Sequence, residues 1–216
     1  MPSILYYNTV TPLLLKVLKH LMSVKEFELF RMVGGTSLSL QRGHRKSIDI
    51  DLFTDAEYGS INFDSIDNFL CSHYKYVDTS KLEVVGMGKS YFVGDSKDEA
   101  IKLDVFYSND PFIFPMLEID GIRLATIEEI IAMKVDVISR GGRKKDFWDI
   151  HELINDYSFK TMLGLHEKRH PYSHDAKHIK KQFVDFSVAD TEADPECLRG
   201  HVWELVKLDI IEFSKQ

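Results

Sequence analysis

The chain has 216 residues, 44% of them apolar and 28% charged, which supports a sizeable core and excludes a disordered or low-complexity chain. Its formal net charge of −7 argues against sequence-blind coating of nucleic acid, which runs on basic surface, while leaving room for a local basic funnel. Cys71 and Cys197 are too few for a disulfide framework or a four-thiolate zinc site. No stretch reaches the roughly 18 apolar residues of a membrane span, and no signal-peptide pattern opens the chain. The expectation is a soluble, cytoplasmic globular protein without a membrane partner.

Residues 11–31 read as an amphipathic helix with Leu14, Leu18, Leu21 and Met22 on one face, running toward a strand. Met32-Val33 then reads as a strand ending in a tight turn at Gly34-Gly35-Thr36-Ser37. A short helix carrying Leu38 and Leu40 follows and stops at Gly43. Ile48-Asp49-Ile50-Asp51-Leu52 alternates as a half-buried strand does. A helix over 62–75, a hairpin built from 82–85 and 91–93, and a strand over 101–106 come next. Thr126-Ile127-Glu128-Glu129 is a capping-box pattern that opens a helix running to about Arg140, where Gly141-Gly142 ends it. A second helix covers 145–156, and helical pattern continues to the C-terminus. The change of character near residue 125 divides the chain into an α/β core over 1–125 and a helical lobe over 126–216, with a cleft between them. The fold class expected is α+β.

Asp49 and Asp51 lie two apart on a strand and so share a face, while Ile48, Ile50 and Leu52 face the core. Adjacent carboxylates repel each other, and a divalent cation such as Mg²⁺ or Mn²⁺ removes that penalty while leaving positions for phosphate oxygens. Gly34-Gly35 with Thr36 and Ser37 lies upstream, where glycines admit a close ligand and a helix N-terminus presents free N–H groups to phosphate. On the 101–106 strand, Asp104 is positioned either to protect an edge, to complete the metal site as a third ligand, or to act as general base.

Lys134 interrupts a stripe formed by Ile127, Ile130, Ile131 and Ile138. Either its ammonium snorkels out of the apolar face, or it meets phosphate in the cleft. On both readings Lys134→Met leaves the fold at least as stable. Asp146 and Asp149 share a side of the next helix; each could be structural, Asp146 as a first-turn acid and Asp149 as partner of Lys134 or an arginine, or catalytic. His166, His170, His174 and His178 recur every four residues, but Pro171 breaks that helix and a zinc site is not expected. Two basic clusters, Arg140, Arg143, Lys144 and Lys145, then Lys168, Arg169, Lys177, Lys180 and Lys181, are either solvated faces or a guide for a polyanion.

The run from Val33-Gly34-Gly35-Thr36-Ser37-Leu38 to Gly43-His44-Arg45-Lys46-Ser47-Ile48-Asp49-Ile50-Asp51-Leu52-Phe53 resembles the first motif of the AbiEii/AbiGii-type nucleotidyltransferases. Ala132-Met133-Lys134 and Arg140 through Asp149 resemble that family's later motifs, and the likeness spans roughly residues 30–155. The resemblance implies a DNA-polymerase-β-like nucleotidyltransferase core followed by a helical lobe. It implies Mg²⁺-dependent transfer of a nucleoside monophosphate from an NTP to an acceptor such as tRNA, by the toxin of a toxin–antitoxin or abortive-infection pair with a cognate antitoxin protein. Carried over by position, Asp49 and Asp51 are metal ligands with Asp104 less secure. Gly34, Gly35, Thr36, Ser37 and Arg45 form the nucleotide cradle, Lys134 contacts the triphosphate, and Asp149 with Asp146 supplies the later acid. A small-molecule adenylyltransferase of the antibiotic-modifying type is the rival enzyme. A nucleotide- or partner-binding module without turnover is the rival from another class.

Overall fold

The computed structural model describes residues 4–79 and 85–216. Helix α1 (Pro12–Met22) begins where Thr11 accepts a hydrogen bond from the Leu14 amide and Pro12 occupies the first turn. It is shorter than the apolar pattern suggested. Ser23 turns its hydroxyl back onto the His20 carbonyl and Val24 is extended, so a separate single turn at Lys25–Phe27 carries the next apolar residues. Phe27 and Phe30 are fully buried at nearly helical spacing although α1 has already ended, which is why the period misleads there.

Strand β1 (Arg31–Met32) leads directly into α2 (Gly34–Arg42) with no intervening turn, and Gly43 in the left-handed region ends that helix. Strand β2 (Asp49–Thr54), α3 (Phe63–His73), β3 (Tyr76–Thr79), β4 (Gly88–Gly94) and β5 (Ala100–Tyr107) follow, then the hairpin β6 (Leu117–Ile119) and β7 (Ile122–Leu124). The expected hairpin strand at 82–85 lies outside the described residues except for Val85; its partner at 91–93 falls within β4. Among the described residues these strands form one mixed seven-stranded sheet in the order β3-β4-β5-β2-β1-β7-β6. The β2–β5 pair is parallel and sets Asp51 opposite Asp104, while β1 joins β2 antiparallel and β7 parallel.

From Thr126 onward the chain is helical: α4 (Ile127–Ser139), α5 (Lys144–His151), α6 (Phe159–Arg169), α7 (Ala176–Gln182) and α8 (Trp203–Phe213). Thr126 caps α4 by accepting from the Glu129 amide, but Glu129 does not reciprocate. Its buried carboxylate instead accepts from the Ile113 and Phe114 amides and pairs with Arg169. Two apolar clusters result. One joins α1 to the sheet through Leu14, Phe27, Leu52 and Leu103; the other joins α4, α5 and α8 through Ile131, Phe147, Trp148 and Ile210. Val33 and Leu38 belong to the second cluster, so α2 reaches across from the sheet into the helical packing. Among the described residues no helix is long and apolar enough to cross a membrane.

Candidate active site

A cavity of about 550 Å³ opens where the sheet meets the helices. Alternation along β2 brings Asp49, Asp51 and Phe53 to its wall, while Ile50 and Leu52 are fully buried behind them. The Asp51 carboxylate lies against Gly34, where a Cβ would stand 2.7 Å from Oδ2. Gly34 also has φ +69°, so both the backbone and the space require glycine. At Gly35 the obstruction is different: a Cβ would meet Arg45 Nη2 at 2.1 Å and Asp149 Oδ2 at 3.2 Å. The glycine pair is therefore fitted to two side-chain systems of the site.

The Asp51 carboxylate receives no hydrogen bond from the described residues, while its backbone carbonyl accepts from the Val33 amide at 2.9 Å. Burial, then the negative charges of Asp104 and Asp49, push its pKa up to about 6. A partly enclosed pair of hard oxygen donors with surplus negative charge fits a divalent cation of the Mg²⁺ kind. Among the described residues no group of three or more His, Cys, Asp or Glu side chains is arranged to hold a metal ion, so the set is a two-carboxylate one. Asp104 does not line the cavity. One of its oxygens accepts from Ser90 Oγ at 2.6 Å and the other pairs with Lys102, so both are already engaged.

Behind the carboxylates lies a buried charge network centred on Asp149, which is fully inaccessible. Its Oδ1 accepts from Arg45 Nε at 2.6 Å and from His44 Nε2 at 2.8 Å. Its Oδ2 accepts from Arg45 Nη2 at 2.9 Å and meets Lys134 Nζ at 2.7 Å. An ionised carboxylate can only accept, so His44 donates from Nε2 and its buried Nδ1 has no partner among the described residues. Burial alone would raise the Asp149 pKa; the charges of Arg45 and then Lys134 overcome it and hold the group well below the carboxylate range. Lys134 also donates to Asp146 Oδ1 at 2.6 Å, and its two carboxylates outweigh burial to keep it charged. The second Asp146 oxygen accepts from the Arg143 amide at 3.0 Å at the start of α5.

Lys134 thus neither snorkels nor stands free. It lines the cavity but is paired with two buried acids, so it joins α4 to α5. Asp146 lines the cavity as well, whereas Asp149 stands one layer behind it. Thr36 lines the cavity with its hydroxyl engaged by Ser47 Oγ and the Asp49 carbonyl, both at 2.6 Å. Ser37 is buried away from the cavity beside Gln41.

Of the first basic cluster, Arg140, Arg143 and Lys145 reach the cavity, with Lys145 Nζ 3.8 Å from Asp49. Burial, then the nearby Arg143 charge, lower the Lys145 pKa. Lys144 turns away and is buried against Asp194 at 2.9 Å. Of the second cluster only Arg169 reaches the cavity, and it is not solvated. It pairs with Glu129 and donates to Ser108 Oγ and the Pro111 and Asp110 carbonyls, fixing the loop between β5 and β6. The sequence reading missed this clamp, and His44 as well. His166 and His174 meet through their Nδ1 atoms at 2.9 Å, with His170 at the cavity rim.

A mixed sheet that carries two same-face carboxylates beside a glycine-led helix, with further helices completing the cavity wall, is the architecture of a nucleotidyltransferase. Residues 16–199 match the family model described as nucleotidyl transferase AbiEii toxin, Type IV TA system, and the chain belongs to that family. Over 196 residues it is 29% identical to an uncharacterised protein of Aquifex aeolicus (strain VF5), covering 85% of this chain and 87% of that one. Among solved structures it is similar to JHP933 from Helicobacter pylori, with a TM-score of 0.59 and 21% identity over 94% of this chain and 87% of the other. It is also similar to MenT4, a nucleotidyltransferase toxin of Mycobacterium tuberculosis H37Rv, with a TM-score of 0.57 and 12% identity over 93% and 82% of the two chains. At these identities the two structures show a shared fold, and the family membership carries the general activity.

Proposed function

We propose that this nucleotidyltransferase moves a nucleoside monophosphate from an NTP onto the end of an RNA, with tRNA among the candidate acceptors. The observation that carries this reading is the meeting in one cavity of the Asp49 and Asp51 carboxylates with the Arg143 and Lys145 cations. Carboxylates suit a metal-bound triphosphate, and partly exposed cations suit a polyanion. An acceptor hydroxyl oxygen bonds to the α-phosphorus, the bond to the α,β-bridging oxygen breaks, and pyrophosphate leaves with the electron pair. The hydroxyl proton passes to solvent. Asp49 and Asp51 would hold Mg²⁺, or Mn²⁺, which when bound neutralises charge building on the phosphate oxygens.

The remaining residues of this chain position and bind. Gly34 and Gly35 let Asp51 and Arg45 approach α2, Arg45 and Lys134 are fixed by Asp149, and Arg143 and Lys145 hold phosphate at the mouth. We take residues 1–125 as the catalytic core and 126–216 as the lobe that closes it. The family supports a toxin role restrained by an antitoxin, acting in the cytoplasm where NTP and RNA are present. Incubation with total RNA, Mg²⁺ and each α-labelled NTP in turn tests this: label should enter RNA with at least one NTP. Label appearing only in a small-molecule acceptor would favour the antibiotic-type adenylyltransferase instead.

A further inference from the structure

A second groove, of about 490 Å³, shares Arg45, Ser47, Asp49, Arg143 and Lys145 with the main cavity. The two spaces therefore meet at the Asp49–Lys145 pair. Phe53, Asp51 and Asp49 line the main cavity in succession along β2. Continuing back past Asp49, the chain enters the groove at Ile48 and Lys46. Arg45, Ser47 and Asp49 line both spaces, so the two adjoin along the approach to β2.

The groove is built rather than incidental. Its outer wall is the segment 192–197, which follows the last turn before α8 and is held at four points, two on the approach to β2 and two on Lys144 of α5. Arg45 and Cys197 form an antiparallel bridge, and the Lys46 amide donates to the Glu196 carbonyl at 2.9 Å. Lys144 donates from its amide to Glu192 at 2.8 Å and from its ammonium to Asp194 at 2.9 Å. Lys144 belongs to the cluster read either as a solvated face or as a guide for a polyanion; it is neither and holds this wall instead.

We propose that this groove receives the unphosphorylated terminal nucleoside of a single-stranded RNA acceptor, an inference that rests on the RNA-acceptor reading above. In-line displacement requires the attacking hydroxyl and the triphosphate to occupy separate spaces that meet at the reacting phosphorus, and two spaces sharing Asp49 and Lys145 offer that division. Ile48, 66% exposed at the groove, offers an apolar surface for a base. The Glu196 carboxylate, unpaired among the described residues, can accept from a ribose hydroxyl or base amino group and repels phosphate. The groove thus suits a terminal ribose better than a phosphate-dense duplex, with Arg143 and Lys145 at the junction holding the incoming α-phosphate.

Ala193→Trp fills the groove from an exposed position, Ile48→Ala removes its apolar surface, and Glu196→Gln removes its charge. Each variant is measured for melting temperature, for binding of a labelled NTP, and for transfer onto total RNA across RNA concentrations. The expected result is unchanged melting and NTP binding, with KM for RNA raised about tenfold or more in Ala193→Trp and less in the other two, while kcat for Ile48→Ala is retained. A folded Ala193→Trp protein with wild-type KM for RNA overturns the groove assignment while leaving RNA transfer standing. Equal loss of NTP binding overturns it too, because the groove would then belong to the nucleotide. If Ala193→Trp fails to fold, unchanged KM in both Ile48→Ala and Glu196→Gln has the same force. Wild-type protein that labels no RNA with any NTP ends the acceptor reading itself, and the groove assignment with it.

Discussion

At Asp51 the site and its stability are coupled through one carboxyl group. Its pKa rises from 3.8 to about 6 on folding, so the folded state holds the proton more tightly than the unfolded one. Stability from this group is greatest below its unfolded pKa and falls as pH climbs through the window from 3.8 to about 6. In chelator near neutral pH, Asp51→Asn should therefore be about 1–2 kcal/mol more stable than wild type, with no such gain near pH 4. It should also lose nucleotide transfer, as should Asp49→Asn. Paired melting curves at the two pH values check the sign, and a gain that persists at the acid end would contradict it. Asp146 and Asp149 run the other way. Their depressed values make their contribution full above the ordinary carboxylate range and lost only as pH drops through the lowered folded values.

Lys134 shows what the sequence could and could not convey. Its interruption of an isoleucine stripe marked it as a site residue, and it does line the cavity. Against the expectation that Lys134→Met is harmless to the fold, the ammonium is paired with two buried acids. Removing the ammonium leaves Asp149 to Arg45 and His44 and Asp146 to Arg143, which should cost on the order of 3–5 kcal/mol, and Lys134→Arg should recover only part of it. Denaturant midpoints decide this; a Lys134→Met protein as stable as wild type would show that the pairing contributes nothing. Period and alternation reveal which face a residue occupies, not which residue over a hundred positions away will meet it. The His44 and Arg45 contacts with Asp149 span such separations, the Glu129–Arg169 pair spans 40 residues, and no local pattern carries any of them.

Elements place these groups with little tolerance. The direct junction of β1 with α2 brings Gly34 against Asp51 and Gly35 against Arg45 and Asp149. Gly35→Ala should force the Arg45 guanidinium off Asp149, lowering stability by about 1–3 kcal/mol and reducing transfer. The change at Gly34 adds a positive-φ penalty of about 1–2 kcal/mol to its clash. Thermal melting with activity on the same preparations tests both; unperturbed Gly35→Ala would mean the arginine can move without consequence. The strand β2, the Thr126 cap and the end of α2 at Gly43 were legible because alternation, capping and left-handed glycines are local signals. The end of α1 at Met22 was not, since buried Phe27 and Phe30 prolong the apolar pattern beyond the helix.

For the whole molecule, a net charge of −7 is compatible with the proposed RNA acceptor if binding is local. Arg140, Arg143 and Lys145 reach the cavity, whereas Lys144 and Arg169 are consumed in buried pairs. Reversing Arg143 and Lys145 together should weaken RNA binding and flatten its salt dependence by about two counterions' worth of slope. Reversing Lys144 should chiefly damage the fold. Binding isotherms at several salt concentrations separate the two cases, and an unchanged slope in the Arg143/Lys145 variant would remove those cations from the RNA path.

The most direct measurement follows the fate of individual phosphates. Wild type and Asp49→Asn are incubated with Mg²⁺, total RNA and an NTP labelled either at the α- or at the γ-phosphate. Nucleotidyl transfer at the Asp49–Asp51 site predicts α-label in RNA, γ-label only in released pyrophosphate, and neither reaction in a folded Asp49→Asn protein. The appearance of γ-label in RNA, or undiminished α-label transfer by Asp49→Asn, would contradict it.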